Sequence, residues 1–369
     1  MNRIKGLDSF RGFIMLVMVW VHLCEWWLRE DDIWFSNATL PIFKLIFGSG
    51  FLLLAGISIA LSYGKNLIKI TKIDDFNYNI LKNEYLFRAT LILVVALGYN
   101  SFVALQFLNP LDLWKWFMLL TMSISLFLVW PLLKLPKYMR LIIAVIIWVI
   151  NYFLFMYLLP FQGQANVFGV IYYFLYNSID VIPFPHYFSF LIIGTILGEI
   201  IFDIYQIENQ KERKLLLKKK IIFPFFILGF LLIIISVAFD PQLALERTSF
   251  IWIIFAMGIN LLLLSTFIGF EDFKLRINKR RFKFLFYYSY YSLTIYLIHN
   301  ILYFLFLNQL NLFHFWILVI ITCFVLGFIL RLIFNKFGPK FSIKVQLGRL
   351  SSGLTNKLEK GKSGNYQRI

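Results

Sequence analysis

The chain of 369 residues is dominated by apolar side chains: 60% of its residues are hydrophobic and 20% are aromatic. A soluble globular protein of this length could not bury so much apolar surface, so the composition predicts a polytopic membrane protein. The formal net charge of +17 does not indicate nucleic-acid binding. The Lys and Arg residues cluster in short loops between apolar stretches, which is the distribution of topology signals.

A hydropathy window of about 19 residues identifies about ten apolar stretches that can each cross a bilayer as a helix. The sequence therefore predicts an all-α, polytopic membrane helix bundle of about ten transmembrane helices. The predicted spans lie near residues 10–28, 42–63, 88–108, 113–133, 139–160, 184–205, 221–239, 248–270, 286–308 and 314–335.

Basic and non-basic loops alternate along the whole chain, and this alternation orients the predicted spans. Both termini are therefore expected in the cytoplasm of an integral, multi-pass membrane protein, which lies in the cell membrane if the chain is prokaryotic. Residues 1–336 form the predicted transmembrane domain, and residues 337–369 form a basic cytoplasmic tail that is expected to be disordered. The loops rich in Lys and Arg are residues 64–87, 134–140, 206–220 and 271–285.

Arg11 and His22, both on the first predicted span, give the strongest indication of function. Their eleven-residue offset puts the two side chains on one helix face, about 16 Å apart. Ionisable groups are costly in lipid and often mark functional sites, although Arg11 also fits a positive-inside anchor and His22 a packing residue. Asp8 is spaced to pair with Arg11 and to hold its guanidinium at the inner end of the bundle. That guanidinium suits the phosphate groups of a ligand entering from the cytoplasm.

His299 is the second histidine that is predicted to lie inside the membrane, at a depth similar to that of His22. Neutral imidazole is suited to proton transfer near neutral pH, so both histidines are candidate catalytic groups. Glu25 either orients His22 or lies in water at the outer end of the span, and the second interpretation is favoured. His186 and His314 fall at outer helix starts, where a polar cap is the expected role.

Glycines at helical spacing predict close packing between spans. The pair Gly194 and Gly198 on the sixth span favours helix contact over ligand contact, and so does a small-residue face on the second span, formed by Gly48, Gly50, Gly56 and Ser58. Cys24 and Cys323 lie inside apolar runs and form no metal-type cluster, so they are interpreted as packing residues and no metal site is expected.

Four segments resemble the transmembrane acyltransferase superfamily, in the branch that includes the heparan-alpha-glucosaminide N-acetyltransferase catalytic domain. LDSFRGFIMLVMVWVH at 7–22 is similar to a first-helix signature in which an Asp-x-x-Arg-Gly start precedes a histidine. LLLAGISIALSYGK at 52–65 and IPFPHYFSFLIIGTILG at 182–198 resemble the second-helix motif and a later motif of that branch. SYYSLTIYLIHN at 289–300 resembles a late helix that these proteins share.

The resemblance implies a membrane enzyme that moves an acyl group, usually acetyl from acetyl-CoA, to a sugar or other polar acceptor across the bilayer. His22 would be the catalytic histidine and Arg11 its partner. The animal acetyltransferase of this branch carries a histidine in the outer segment that follows its first span. Residues 29–43 of this chain contain no histidine, which argues against heparan glucosamine as the acceptor.

In the mechanism expected from this resemblance, CoA binds at Asp8 and Arg11 with its thioester near His22. His22 then acts as a general base or accepts the acetyl group itself, and His299 polarises the thioester carbonyl or orients His22. The expected partners are membrane lipids, acyl-CoA and a glycan or lipid-linked acceptor, with homodimerisation open and no nucleic acid. The alternative is a secondary transporter in which the two histidines relay protons.

Overall fold

A computed structural model describes residues 3–72, 77–106, 108–177, 184–246, 249–272 and 282–366. These residues are mainly helical and include no strand, which confirms the predicted all-α class. The helices are α1 (Lys5–Trp27), α2 (Ile33–Lys72), α3 (Tyr78–Gln106), α4 (Met118–Leu132), α5 (Lys137–Leu158), α6 (Val167–Leu175), α7 (Phe184–Tyr205), α8 (Gln210–Leu217), α9 (Phe223–Phe239), α10 (Phe250–Asp272), α11 (Phe282–Tyr290), α12 (Ser292–Ile298), α13 (Leu312–Phe337) and α14 (Ile343–Tyr366).

The helices are long enough to make this an integral, multi-pass membrane protein. Within the described ranges, nine helices are long and apolar enough to cross a membrane. In lipid every backbone polar group needs an internal partner, and continuous helices of this length supply one. The predicted orientation of the termini stays a prediction, and most of the basic run at 274–283 lies outside the described residues.

The ninth predicted span, residues 286–308, is not one continuous helix, so that prediction is wrong in form. The segment consists of α11, α12 and a 3-10 turn at His299–Phe304, with a break at Tyr291. The indole N–H of Trp27 donates to the carbonyl of Leu302 over 2.8 Å. Beside the break, the hydroxyl of Ser342 donates to the carbonyl of Tyr290 over 3.2 Å. Such side-chain bonds supply partners to backbone groups where the helix is not regular.

Several helices extend beyond their predicted spans. The basic residues 65–72, predicted as loop, are the last turns of α2. The expected disorder of the tail is wrong for the described part of α14, where Ser352 donates to Glu84 and Asn83 donates to Glu359 over 3.2 Å. These side-chain bonds give the polar tail partners that its composition does not reveal. The domain boundary predicted at residue 337 stays a prediction.

The chain divides into two compact units, of which the first contains Met1–Phe51 and Ile204–Lys344. Within it, α1 contacts α10, α11, α12 and α13. Two glycines permit this close packing, because a Cβ on Gly6 would meet the carbonyl of Phe267 and one on Gly12 the carbonyl of Leu285. The first helix therefore lies in the core of this unit, with both predicted functional residues on it.

The second unit contains Leu52–Asp203 and Val345–Ile369. In it, α2 and α7 approach at their glycines: a Cβ on Gly56 would meet the carbonyl of Leu191, and one on Gly194 the carbonyl of Leu53. Gly198 faces Ile57 in the same way. The predicted role of these glycines in close helix packing is confirmed.

Replacing Gly194 by alanine is expected to lower the thermal unfolding temperature of the detergent-solubilised protein. The added Cβ would overlap backbone of the neighbouring helix, which cannot move aside as a side chain can, so we expect a loss of about 1–3 kcal/mol. Gly98→Ala on α3 is the matched control, because a Cβ there meets no atom. Alanine is also the better helix former. Equal unfolding temperatures for the two variants would contradict the predicted contact.

Candidate active site

The two candidate catalytic histidines meet in the first unit. His22 lies on α1 and His299 follows the last residue of α12, and their ring centroids are 4.9 Å apart at an angle of 39°. His299 is buried, with 4% of its surface exposed, whereas 26% of the His22 side chain is exposed. The structure thus brings together two residues that the sequence could only relate by depth.

Glu25 holds His22 from one side and is itself held by Lys44. Its Oε2 lies 3.2 Å from Nδ1 of His22, and its Oε1 lies 2.6 Å from Nζ of Lys44 on α2. Glu25 therefore orients His22, the interpretation that the sequence did not favour. The residue lies in α1 and not in a loop, and both its oxygens have partners although 29% of its side chain is exposed. The three side chains form the chain Lys44–Glu25–His22.

These contacts determine which ring nitrogen of His22 is available. A carboxylate only accepts hydrogen bonds, so Nδ1 of His22 carries the proton that Glu25 accepts. In the neutral ring Nε2 then has a lone pair and can accept a proton. This is the arrangement of an oriented general base.

His299 has the same tautomer for a different reason. Its Nδ1 lies 2.6 Å from the carbonyl oxygen of Tyr296, which can only accept, so Nδ1 is the donor. Nε2 of neutral His299 is therefore an acceptor. A ring in that state is unsuited to polarising a thioester carbonyl, which needs a donor, but it can orient a nucleophile that donates to it, or protonated His22.

Aromatic rings enclose the two imidazoles. Trp26 stacks on both, with centroid separations of 5.1 Å from His22 and 5.7 Å from His299. Phe47 lies 6.0 Å from His22, and Tyr303 packs edge-on against Trp26. The rings limit rotation of both histidines and present π faces that favour a positively charged imidazolium.

Main-chain hydrogen bonds join the end of α1 to the segment that follows His299. The N–H groups of Asn308 and Leu310 donate to the carbonyls of Trp26 and Trp27, both over 2.8 Å. The N–H of Arg29 in turn donates to the carbonyl of Leu310 over 3.0 Å. We call these three bonds the backbone latch. These bonds hold the segment that follows His22 and the segment that follows His299 in one register.

The predicted ion pair in the first turns of α1 is present. An Nη1 atom of Arg11 lies 3.5 Å from Oδ1 of Asp8. Asp8 also pairs with Arg3 and accepts a hydrogen bond from Ser289 over 3.4 Å. Three neighbours thus fix the Asp8 carboxylate, which positions the guanidinium of Arg11, of whose side chain 17% is exposed. The helix between Arg11 and His22 is continuous, so their separation along it is about 16 Å.

Arg140 in the second unit is a buried polar residue that the sequence did not reveal. It was predicted to lie in the basic loop at residues 134–140. It is 2% exposed, donates to Thr195 over 3.0 Å and pairs with Glu199. Glu199 also pairs with Lys137 over 3.3 Å, so this carboxylate balances buried positive charge. A charge within an apolar run was the available signal, and the same signal would have identified Lys44.

The two remaining histidines differ in their surroundings. The interfacial cap predicted for His186 is wrong: the residue is 1% exposed, and the amide of Asn151 lies 2.7 Å from its Nδ1. A buried ring needs such a partner, and α5 supplies it within the second unit. His314 is exposed at the start of α13, where its N–H donates to the side chain of Asn311 over 2.9 Å. Its position fits the predicted helix start.

No group of three or more His, Cys, Asp or Glu side chains in the described ranges could hold a metal ion. Both cysteines are free thiols, with Cys24 buried and Cys323 partly buried. The candidate site therefore consists of a carboxylate-oriented imidazole, a second imidazole beside it and a guanidinium three helical turns away.

The fold is that of a multi-pass membrane helix bundle, and its first unit holds a pair of histidines beside a carboxylate. The family described as heparan-alpha-glucosaminide N-acetyltransferase, catalytic, matches residues 3–241, about two-thirds of the chain. The chain belongs to this family of membrane acetyltransferases. The matched region includes Asp8, Arg11, His22, Glu25 and Lys44 but ends before His299. No curated protein matches the chain.

Proposed function

We propose that the protein transfers an acetyl group from cytoplasmic acetyl-CoA to a sugar or other polar acceptor at the outer side of the membrane. The observation that carries this proposal is the chain Lys44–Glu25–His22, which leaves Nε2 of His22 as a base beside His299. Family membership supports acetyl transfer in general. The donor, the acceptor and the roles of single residues belong to the proposal.

The transfer proceeds through one tetrahedral intermediate. Nε2 of His22 removes a proton from a hydroxyl or amine of the acceptor as its oxygen or nitrogen bonds to the thioester carbonyl carbon. The carbon–sulfur bond then breaks, and the CoA sulfur leaves with the proton from His22. The products are the acetylated acceptor and free CoA thiol, so atoms and charge balance. Covalent acetylation of His22 followed by transfer to the acceptor is the second route that the same nitrogen permits.

The neighbours of His22 have distinct tasks in this mechanism. Glu25 keeps the proton on Nδ1 and stabilises the imidazolium that forms during proton transfer, as carboxylates do in other catalytic histidine pairs. Lys44 holds Glu25 in place and balances its charge while the imidazole is neutral. His299 accepts a hydrogen bond through Nε2 from the acceptor nucleophile, or from Nε2 of His22 once that nitrogen has taken up the proton. Lys44 and Glu25 are positioning residues, since both act through His22.

Arg11 is the proposed contact for the phosphate groups of CoA. A guanidinium offers paired donors that match phosphate oxygens, and its ion pair with Asp8 fixes its direction. The distance of about 16 Å along α1 leaves room for the pantetheine arm between the phosphates and the thioester. Asp8 contributes through Arg11, because a carboxylate repels phosphate.

Purified protein incubated with [¹⁴C]acetyl-CoA and an amino sugar such as glucosamine tests the function. We expect acceptor-dependent release of CoA thiol and label on the acceptor. An extract of membrane glycans and lipids extends the assay to lipid-linked acceptors. Acetyl-CoA binding without thiol release for any of these acceptors would overturn the proposal. Proton-coupled uptake by proteoliposomes, with acetyl-CoA left intact, would instead support the transporter in which His22 and His299 relay protons.

A further inference from the structure

A cleft of about 420 Å³ lies between α11 and α13 in the first unit. It is separate from the histidine pair, since none of its lining residues contacts either imidazole. Its polar lining residues are Lys283, Arg331 and Asn335, and its apolar ones include Phe324 and Phe328. The cleft therefore combines a cationic end with an aromatic wall.

The two cations of the cleft, Lys283 and Arg331, have no acidic partner within the part of the chain that the structure describes. Among the residues that the structure describes, neither Lys283 nor Arg331 forms an ion pair, and both side chains are exposed. Asn335 adds an amide donor one turn after Arg331 on the same helix. Two cations and an amide facing one space are complementary to a phosphate group.

The aromatic wall lies on a helix whose outer surface is almost entirely apolar. Phe324 is 65% exposed and Phe328 is 57% exposed on α13. The base of the cleft is tightly packed, because Phe284 lies so close to Gly327 that a Cβ on this glycine would overlap the ring. Exposed aromatic rings next to a phosphate-binding end match a molecule with a charged head and a hydrocarbon tail.

We propose that this cleft binds an anionic phospholipid of the cytoplasmic leaflet. Lys283, Arg331 and Asn335 hold the headgroup phosphate, and one acyl chain lies along Phe324 and Phe328. The positive-inside rule favours the cytoplasmic leaflet, because the basic run that ends at Lys283 belongs to a predicted inner loop. Basic clefts between membrane helices on this side are suited to acidic headgroups.

Native mass spectrometry of the detergent-solubilised protein tests the site with phosphatidylglycerol as the probe and phosphatidylcholine as the neutral comparison. We expect the wild type to retain phosphatidylglycerol in preference. The double variant Lys283→Gln, Arg331→Gln should bind it roughly 20-fold more weakly, since each cation near a lipid surface contributes about a fivefold factor in affinity. The charge-conserving pair Lys283→Arg, Arg331→Lys should retain most of the binding.

The variant Lys336→Gln, Lys340→Gln is the matched control, because it removes two charges from the same end of α13 outside the cleft. Its affinity for phosphatidylglycerol should equal that of the wild type. Equal binding by wild type and the Lys283, Arg331 double variant would overturn the proposal. So would equal retention of phosphatidylcholine, or displacement of the lipid by inorganic phosphate or free CoA, which would make the occupant a soluble phosphate compound.

Discussion

Replacing His22 by alanine is expected to lower kcat for acetyl transfer about 10³-fold, with little change in expression or in CoA binding. General-base catalysis by a positioned imidazole contributes about 10²–10⁴-fold, and the aromatic rings around His22 leave no other described base at Nε2 except His299. CoA binding should persist because the proposed phosphate contact, Arg11, lies about 16 Å away along α1. Thiol release and equilibrium binding of CoA measure the two effects separately.

The control for this experiment is His314→Ala. His314 is an exposed histidine of the same unit, at the start of α13, and contacts neither imidazole of the pair. Its replacement should leave kcat unchanged. Full activity of the His22→Ala protein would remove His22 as the base and with it the proposed mechanism. Activity that instead disappears on replacement of His299 would transfer the role of the base to that residue.

Replacing Glu25 by glutamine is expected to lower kcat about 10²-fold while the KM for acetyl-CoA stays nearly constant. Glutamine fits the same space but can no longer stabilise an imidazolium at His22 or fix its tautomer, and loss of an orienting carboxylate typically has an effect of this order. Lys44→Met should lower kcat about tenfold, because the carboxylate then lacks its ammonium partner.

A double-mutant cycle distinguishes positioning from a purely structural role. If Lys44 acts through Glu25, then adding Lys44→Met to the Glu25→Gln protein should cause little further loss. Glu30→Gln, which changes an exposed carboxylate near the outer end of α1, is the matched control and should leave kcat unchanged. Two independent, multiplicative losses in the double variant would contradict the chain Lys44–Glu25–His22.

Composition was sufficient for the fold class but not for the form of the ninth span. Hydropathy measures whether a segment can lie in lipid, and residues 286–308 satisfy that criterion. The irregular turns have partners elsewhere in the chain: Ser342 donates to the carbonyl of Tyr290 beside the break, and the indole of Trp27 donates to Leu302 in the 3-10 turn. A helix end that depends on tertiary hydrogen bonds does not change the pattern of apolar residues, so the sequence alone does not predict it.

The candidate site, too, could be predicted only in part. The sequence was sufficient to place Asp8, Arg11 and His22 on one helix, and the structure confirms the ion pair at the start of that helix. The role of Glu25 could not be predicted, because a carboxylate three residues after a histidine can either bind that histidine or lie in water. What decides between them is Lys44 on a different helix, and its contact with Glu25 follows only from how α1 and α2 pack.

The backbone latch has a consequence for how this chain can vary. Its three bonds use only peptide N–H and carbonyl groups, which every residue except proline supplies in full. The side chains of Arg29 and Leu310 could therefore change without loss of these bonds, whereas Trp26 and Trp27 are also needed for the contacts of their rings. The relative position of the two segments that follow His22 and His299 thus depends on peptide groups, and proline in place of Leu310 would remove one of the three bonds.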